Sequence, residues 1–169
     1  MAKYFNISGE LTQQLLPAGE GVGVSKISLI NTQKVSKCKV DLYIEKKLKG
    51  KFYLLKKVEL PIGTTLIYDN IIFNNDTDEF SLYIKLTDGA TFTLTGSIDP
   101  IASTTVTGVG TAFLSEVSIG DEIVVTGETR TVSDIASDTS LTVSSAFSDN
   151  SNDTTPDCNP TALVDVIIN

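Results

Sequence analysis

The chain has no histidine and no tryptophan, a single arginine, a single methionine and two cysteines. Without histidine, the commonest general base and the commonest zinc ligand are both missing. His-based triads and HExxH metal sites are therefore excluded. No apolar run approaches the roughly 18 residues of a membrane span. The opening residues, Met-Ala-Lys-Tyr-Phe-Asn, hold no apolar stretch of signal-peptide length. The expectation is a protein made and kept in a cytoplasm, with no membrane partner. Cys38 and Cys158 are too far apart in sequence to make a disulfide framework. They read as two independent thiols in a reducing compartment.

What is present fits a packed domain, or two small ones. The chain has 169 residues, 41% hydrophobic and 20% charged, with a net charge of −8. That sign argues against general nucleic-acid binding. The charge is unevenly spread. Residues 1–89 hold all 12 lysines against ten acids, a net of +2. Residues 90–169 hold Arg130 against 11 acids, a net of −10. Nine of the 12 aromatics lie in the first stretch, whereas Ser and Thr supply 26 of the last 80 residues. Two compositions in one chain suggest two modules with different surfaces.

Alternation of period two dominates both modules. Lys39–Glu45 places Val40, Leu42 and Ile44 on one face, and Ser81–Leu86 does the same with Leu82, Ile84 and Leu86. Further strands are expected over Val24–Ile30, Phe52–Leu60, Thr64–Tyr68 and Phe92–Ile98. The later module has shorter strands within 103–111, 122–126, 129–135 and 140–143, with one helical turn over Ala112–Glu116. Its size suits a small SH3-like or OB-like β-barrel. Ala162–Ile168 is an apolar strand whose composition matches the first module. Left unpaired it would be an exposed sticky edge, so it is expected to return to the first sheet, beside Glu79–Leu86. The fold expected is all-β: an antiparallel β-sandwich over 1–95 and 161–169, a small barrel over 96–147 inserted before the last strand, and a return linker over 148–160. That path would bring Cys158 towards Cys38 and keeps a disulfide open as an alternative.

Candidate chemistry is sparse. Asp149-Asn150-Ser151-Asn152-Asp153 opens like a calcium loop, but Thr154 and Pro160 stand where Gly and Glu are needed. It reads as linker, and the oxygen-rich stretch Asn74–Glu79 reads as a turn. Gly108-Val109-Gly110-Thr111 lacks the Gly-Lys-Ser/Thr end of a P-loop and the third glycine of a dinucleotide fingerprint. Its glycines are expected to allow positive φ. None of the 16 serines is marked as a nucleophile. No catalytic residue, metal ligand or cofactor is expected, and the chain is not expected to be an enzyme. Nine lysines fall between Lys34 and Lys57. Lys34, Lys37, Lys39, Lys46, Lys47, Lys49 and Lys51 are the candidate docking residues for an acidic partner. The competing readings are edge-strand lysines that block sheet aggregation and, more remotely, nucleic-acid contacts. No aromatic stacking series is evident among them.

Two stretches carry a resemblance. Thr105–Ile123, with its continuation Thr129–Val143, resembles a segment of virion and tail-associated proteins of tailed bacteriophages. Ile30-Asn31-Thr32, the strand Val40–Ile44 and the turn Pro61-Ile62-Gly63-Thr64-Thr65 are similar to structural proteins of marine and cyanobacterial phages. In this resemblance Phe113 plugs the small module, Gly120-Asp121 turns, and Leu141 and Val143 close its core. The resemblance implies a non-enzymatic virion component, assembled in the host cytoplasm. Its partners would be other virion proteins, major capsid or tail subunits, with many copies forming a homo-oligomer on the particle. A capsid decoration protein is the first expectation. A tail, neck or fibre component and a receptor- or glycan-binding module are the alternatives.

Overall fold

The computed structural model describes residues 2–46, 48–69, 71, 73–74 and 80–169. Lys47 and residues 75–79 lie outside them. The chain divides into two units. The first takes residues 1–33, 37–88 and 162–169; the second takes 34–36 and 89–161. The second unit thus starts earlier than the expected boundary and includes the expected linker.

The first unit contains β1 (Lys3–Ser8), β2 (Thr12–Leu16), β3 (Gly23–Val24), β4 (Ile27–Asn31), β5 (Cys38–Lys46), β6 (Gly50–Leu60), β7 (Thr65–Tyr68), β8 (Phe73–Asn74) and β9 (Ser81–Thr87). The second contains β10 (Phe92–Thr93), β11 (Ser97–Pro100), β12 (Thr105–Val109), α1 (Phe113–Glu116), β13 (Glu122–Val125), β14 (Glu128–Ser137), β15 (Ser140–Val143) and β16 (Asp157–Asn159). The chain then returns to the first unit as β17 (Leu163–Ile168).

In the first unit one sheet has the order β1-β17-β4-β7 and another β2-β9-β5-β6, all antiparallel. A short β3-β8 pair is separate. The fold is a β-sandwich, and its eight main strands pass between the two sheets in the order of a jelly roll. Alternation explains the core. Ile27 and Leu29 of β4, Val40 and Leu42 of β5, Leu82, Ile84 and Leu86 of β9, and Val164, Val166 and Ile168 of β17 all point inward. β17 is an interior strand between β1 and β4 rather than a neighbour of β9. Both of its edges are hydrogen-bonded, which removes the exposed-edge problem its apolar residues would create.

Two of the resembling stretches of this unit, Ile30–Thr32 and Pro61–Thr65, meet. Asn31, fully buried, donates its side-chain amide to the Leu60 carbonyl at 2.9 Å and accepts the Gln33 N–H at 2.9 Å. Its backbone bonds the Pro61–Thr64 turn, where Gly63 takes φ 64° and the Thr64 hydroxyl donates to the Pro61 carbonyl. The amide is held because a buried polar group without partners is costly.

The second unit is a seven-stranded sheet, β10-β16-β13-β14-β15-β12-β11, bent around its own core. It does not close as the expected barrel. The ten-residue β14 does the bending. Its first half pairs with β13 and its second half with β15, with register shifts near Ser133 and Ala136. Phe113, Val117, Ile123, Val125, Leu141 and Val143 are buried in this core. The expected strand Phe92–Ile98 is broken at Gly96, which has φ 81° and stands against backbone atoms of Val109 and Gly110. A side chain there would collide with main chain. Gly110 has the positive φ expected of it, but Gly108 does not. Gly108 instead leaves room for the Thr111 side chain.

Candidate functional site

The outward positions of the jelly roll follow from the same alternation. On the β2-β9-β5-β6 sheet they place opposite charges across from each other: Lys39 faces Glu59, Asp41 faces Lys85, and Glu45 faces Lys51. Such directly opposed pairs stabilise a solvated sheet face modestly. Between them runs a row across all four strands, Tyr53, Tyr43, Tyr83 and Gln14. Tyr43 stacks on Tyr83 with centroids 5.4 Å apart and tilts against Tyr53 at 5.5 Å. Lys51 lies over the Tyr43 ring at 4.6 Å, and Lys56 over the Tyr53 ring at 4.2 Å. Gln14 donates to the Tyr83 hydroxyl at 3.2 Å. Lys51 donates to the Tyr43 hydroxyl, and this bond raises its pKa above the ordinary lysine value.

An aromatic series does therefore accompany the lysines, contrary to the reading from sequence. Its signal was the tyrosine at the odd position of each alternating strand. Because the rings cover one another, Tyr43 is only 3% exposed despite its outward direction.

The candidate docking lysines do not form one patch. Lys39 and Lys51 share the outward face but stand six residues apart along β5 by register, ~20 Å. Lys37 pairs with Glu59 at 3.0 Å near the other end of the hairpin. Lys46 ends β5 with its ammonium 5.4 Å from the Phe80 ring. Lys49 lies in the exposed β5–β6 turn, Lys34 is exposed in the segment grouped with the second unit, and Lys47 is outside the described residues. Edge strand β6 also carries Lys56 and Lys57.

The outward face of the other sheet has a different chemistry. One row is Tyr4, Ile167, Ser28 and Ile67; the next is Asn6, Asp165, Ile30 and Thr65. Asp165 is the one charged residue in these two rows, and the Asn6 amide donates to it at 2.6 Å. Tyr4 and Ile67, at the two edges, are 72% and 54% exposed.

Ionisable groups elsewhere serve structure. Glu128 accepts from the Ser148 hydroxyl at 2.6 Å and from the Asp149 N–H at 2.8 Å, and pairs with Arg130. These donors, the Ser148 hydroxyl foremost, pull its pKa down to about 2. Fully buried Asp121 accepts the Ser118 and Thr161 N–H groups at 2.8 and 2.9 Å. Cys38 and Cys158 are free, buried thiols in different cores. Burial first, then the charge of Asp88, raises Cys38 to about 11. Burial, then Asp121 and Glu116, raises Cys158 to about 12. Neither is a nucleophile in this state. A cleft against Lys3, Glu20, Gly21, Val22 and Gly23 holds one charged pair, Lys3 with Glu20, already joined as an ion pair. Among the described residues, no group of three or more Asp, Glu or Cys is placed to hold a metal ion.

No protein-family model matches the chain, and no curated protein matches it. Among solved structures, a structure of the infectious bursal disease virus Gx strain is similar at 10% identity and a TM-score of 0.28, over all of this chain and 32% of that one. The crystal structure of the T13 IBDV viral particle is similar at 10% identity and a TM-score of 0.27, over 99% of this chain and 38% of that one. The chain spans about a third of the length of those viral proteins. At such scores neither likeness bears on function.

Proposed function

We propose that the chain is a non-enzymatic structural component of a bacteriophage particle, a decoration protein attached to the capsid through its jelly roll. The observation that carries this is the jelly-roll strand order around an interior filled with aliphatic side chains. Jelly rolls serve as capsid, lectin and cupin domains. A cupin reading lacks support, because among the described residues the roll's interior offers no ligand set, and the chain has no histidine. A lectin reading needs open aromatic faces. On the β2-β9-β5-β6 sheet Tyr43 stacks on Tyr83 under Lys51, and Lys56 lies over Tyr53, while Tyr4 is the exposed ring at the edge of the other sheet. The capsid reading is a fold-level analogy, and it agrees with the resemblance of Thr105–Val143 and Ile30–Thr65 to phage structural proteins.

The face formed by the Tyr4–Ile67 and Asn6–Thr65 rows is the proposed attachment face, because covering these two rows desolvates one carboxylate and no ammonium. The acidic second unit, with ten carboxylates between residues 89 and 161, is left to solvent, where it keeps the particle surface anionic. The test is re-binding of the purified chain to particles that lack it. Ile167→Lys is expected to abolish re-binding, while Lys39→Ala leaves it intact. Equal re-binding by both variants would overturn the attachment face, and failure of the wild-type chain to bind would overturn the particle role.

A further inference from the structure

The β5–β6 hairpin ends in the sequence Lys46-Lys47-Leu48-Lys49-Gly50-Lys51-Phe52, four lysines and no acid in a chain of net charge −8. At its apex Leu48 is 99% exposed and has φ 68°. The turn is closed by the Lys49 N–H on the Lys46 carbonyl at 3.0 Å. Two rules are broken at one residue. A β-turn position with positive φ calls for Gly or Asn, since an L side chain is strained there. A fully exposed leucine also leaves its whole apolar surface in water. Sequences that break local rules without an internal gain do so most often at functional positions. The base beneath the tip is stiff. Phe52 and Phe80 pack edge to face at 6.2 Å, Lys46 lies over Phe80, and Lys51 is bonded to Tyr43. The apex is an exposed apolar residue in a lysine-rich turn.

The second unit carries exposed apolar residues within an acidic composition. Leu114 on α1 and Ile119 on the α1–β13 connection are 52% and 59% exposed. Asp138 accepts the Leu114 N–H at 3.0 Å, and Glu116, at the end of α1, accepts from the Thr95 N–H at 2.9 Å. The unit as a whole carries ten acids against Lys34 and Arg130.

We propose that the Leu48 tip of one copy docks on the Leu114–Ile119 surface of a second copy, in a head-to-tail contact. Opposite charge selects the partner surface, and Leu48 supplies the apolar anchor. The contact is small and therefore weak singly. It is heterologous, so it propagates into a ring or an array in which many copies reinforce one another. A fluid anionic lipid surface fits less well, because Lys46 and Lys51 are held on rings and the whole chain is acidic. The inference does not depend on the particle role.

Sedimentation velocity of the full chain, from micromolar to millimolar, is the test. The weight-average mass is expected to rise with concentration at low salt and to stay monomeric at high salt. Leu48→Asn and Leu114→Gln should each weaken self-association about tenfold or more. Leu48→Asn should also raise the melting temperature, because Asn tolerates the left-handed backbone. Each variant keeps one intact half of the contact, so a mixture of the two should associate where neither does alone. A wild-type chain monomeric throughout would overturn the proposal. So would association that the variants leave unchanged, or a mixture that fails to associate. Flotation of the monomeric chain with phosphatidylserine vesicles, lost in Leu48→Asn, would reassign the tip to membranes.

Discussion

Single residues carry identifiable loads in this molecule. Phe113 is fully buried in the second core, and Phe113→Ala is expected to cost about 3–5 kcal/mol, read as a fall in the denaturant midpoint. Thr126 sits at φ 51° beside Gly127 at φ 81° in the β13–β14 turn. This two-residue hairpin prefers Asn-Gly, so Thr126→Asn should add about 1 kcal/mol of stability. Glu128 sets a pH dependence with a definite sign. Its pKa is depressed in the folded chain from 4.5 to about 2. The stability from its bonds to Ser148 and Asp149 is therefore full above pH 4.5 and is lost as pH falls towards 2. Glu128→Gln should lower the melting temperature at neutral pH, with the gap to wild type closing across that window. A gap independent of pH would show that the carboxylate is not responsible.

At the scale of elements, β17 is decisive. Its buried Val164, Val166 and Ile168 complete the first core, and it is bonded on both sides. Removing residues 161–169 should abolish cooperative unfolding of the first unit in calorimetry; retention of full thermal stability would refute this role. The alternation of β17, β5 and β9 was legible in the sequence because each has one buried and one outward face. The partners of β17 were not, since strand pairing is set by the path of the whole chain. β1, with Phe5 and Ile7 in phase, carried the same signal on two inward residues where β17 and β9 have three. β2 had little to read, because an irregularity at Leu15 buries two consecutive leucines, Leu15 and Leu16, and breaks the period. The tyrosine row was missed for a related reason. Tyr43, Tyr53 and Tyr83 are far apart in sequence and meet only through register. The break at Gly96 depends on the close approach of Val109 and Gly110, which composition does not reveal.

The whole molecule joins two units with separate cores and separate electrostatics. Within the second unit, Phe92 pairs with Cys158 and Thr93 with Asp157, so its two chain ends lie side by side. Within the first, the Ala162 N–H donates to Asp88 at 2.6 Å, so the points where the chain leaves and returns are adjacent as well. Such geometry suits an inserted unit that folds alone. Residues 89–161 expressed alone should show dispersed amide resonances and a cooperative melt. The proposed particle role requires the chain to be a stoichiometric part of a phage capsid surface. Counting copies per purified particle by quantitative mass spectrometry tests this most directly. The prediction is on the order of hundreds of copies, as a repeated low-affinity attachment requires; a count of a few, or none, would contradict it.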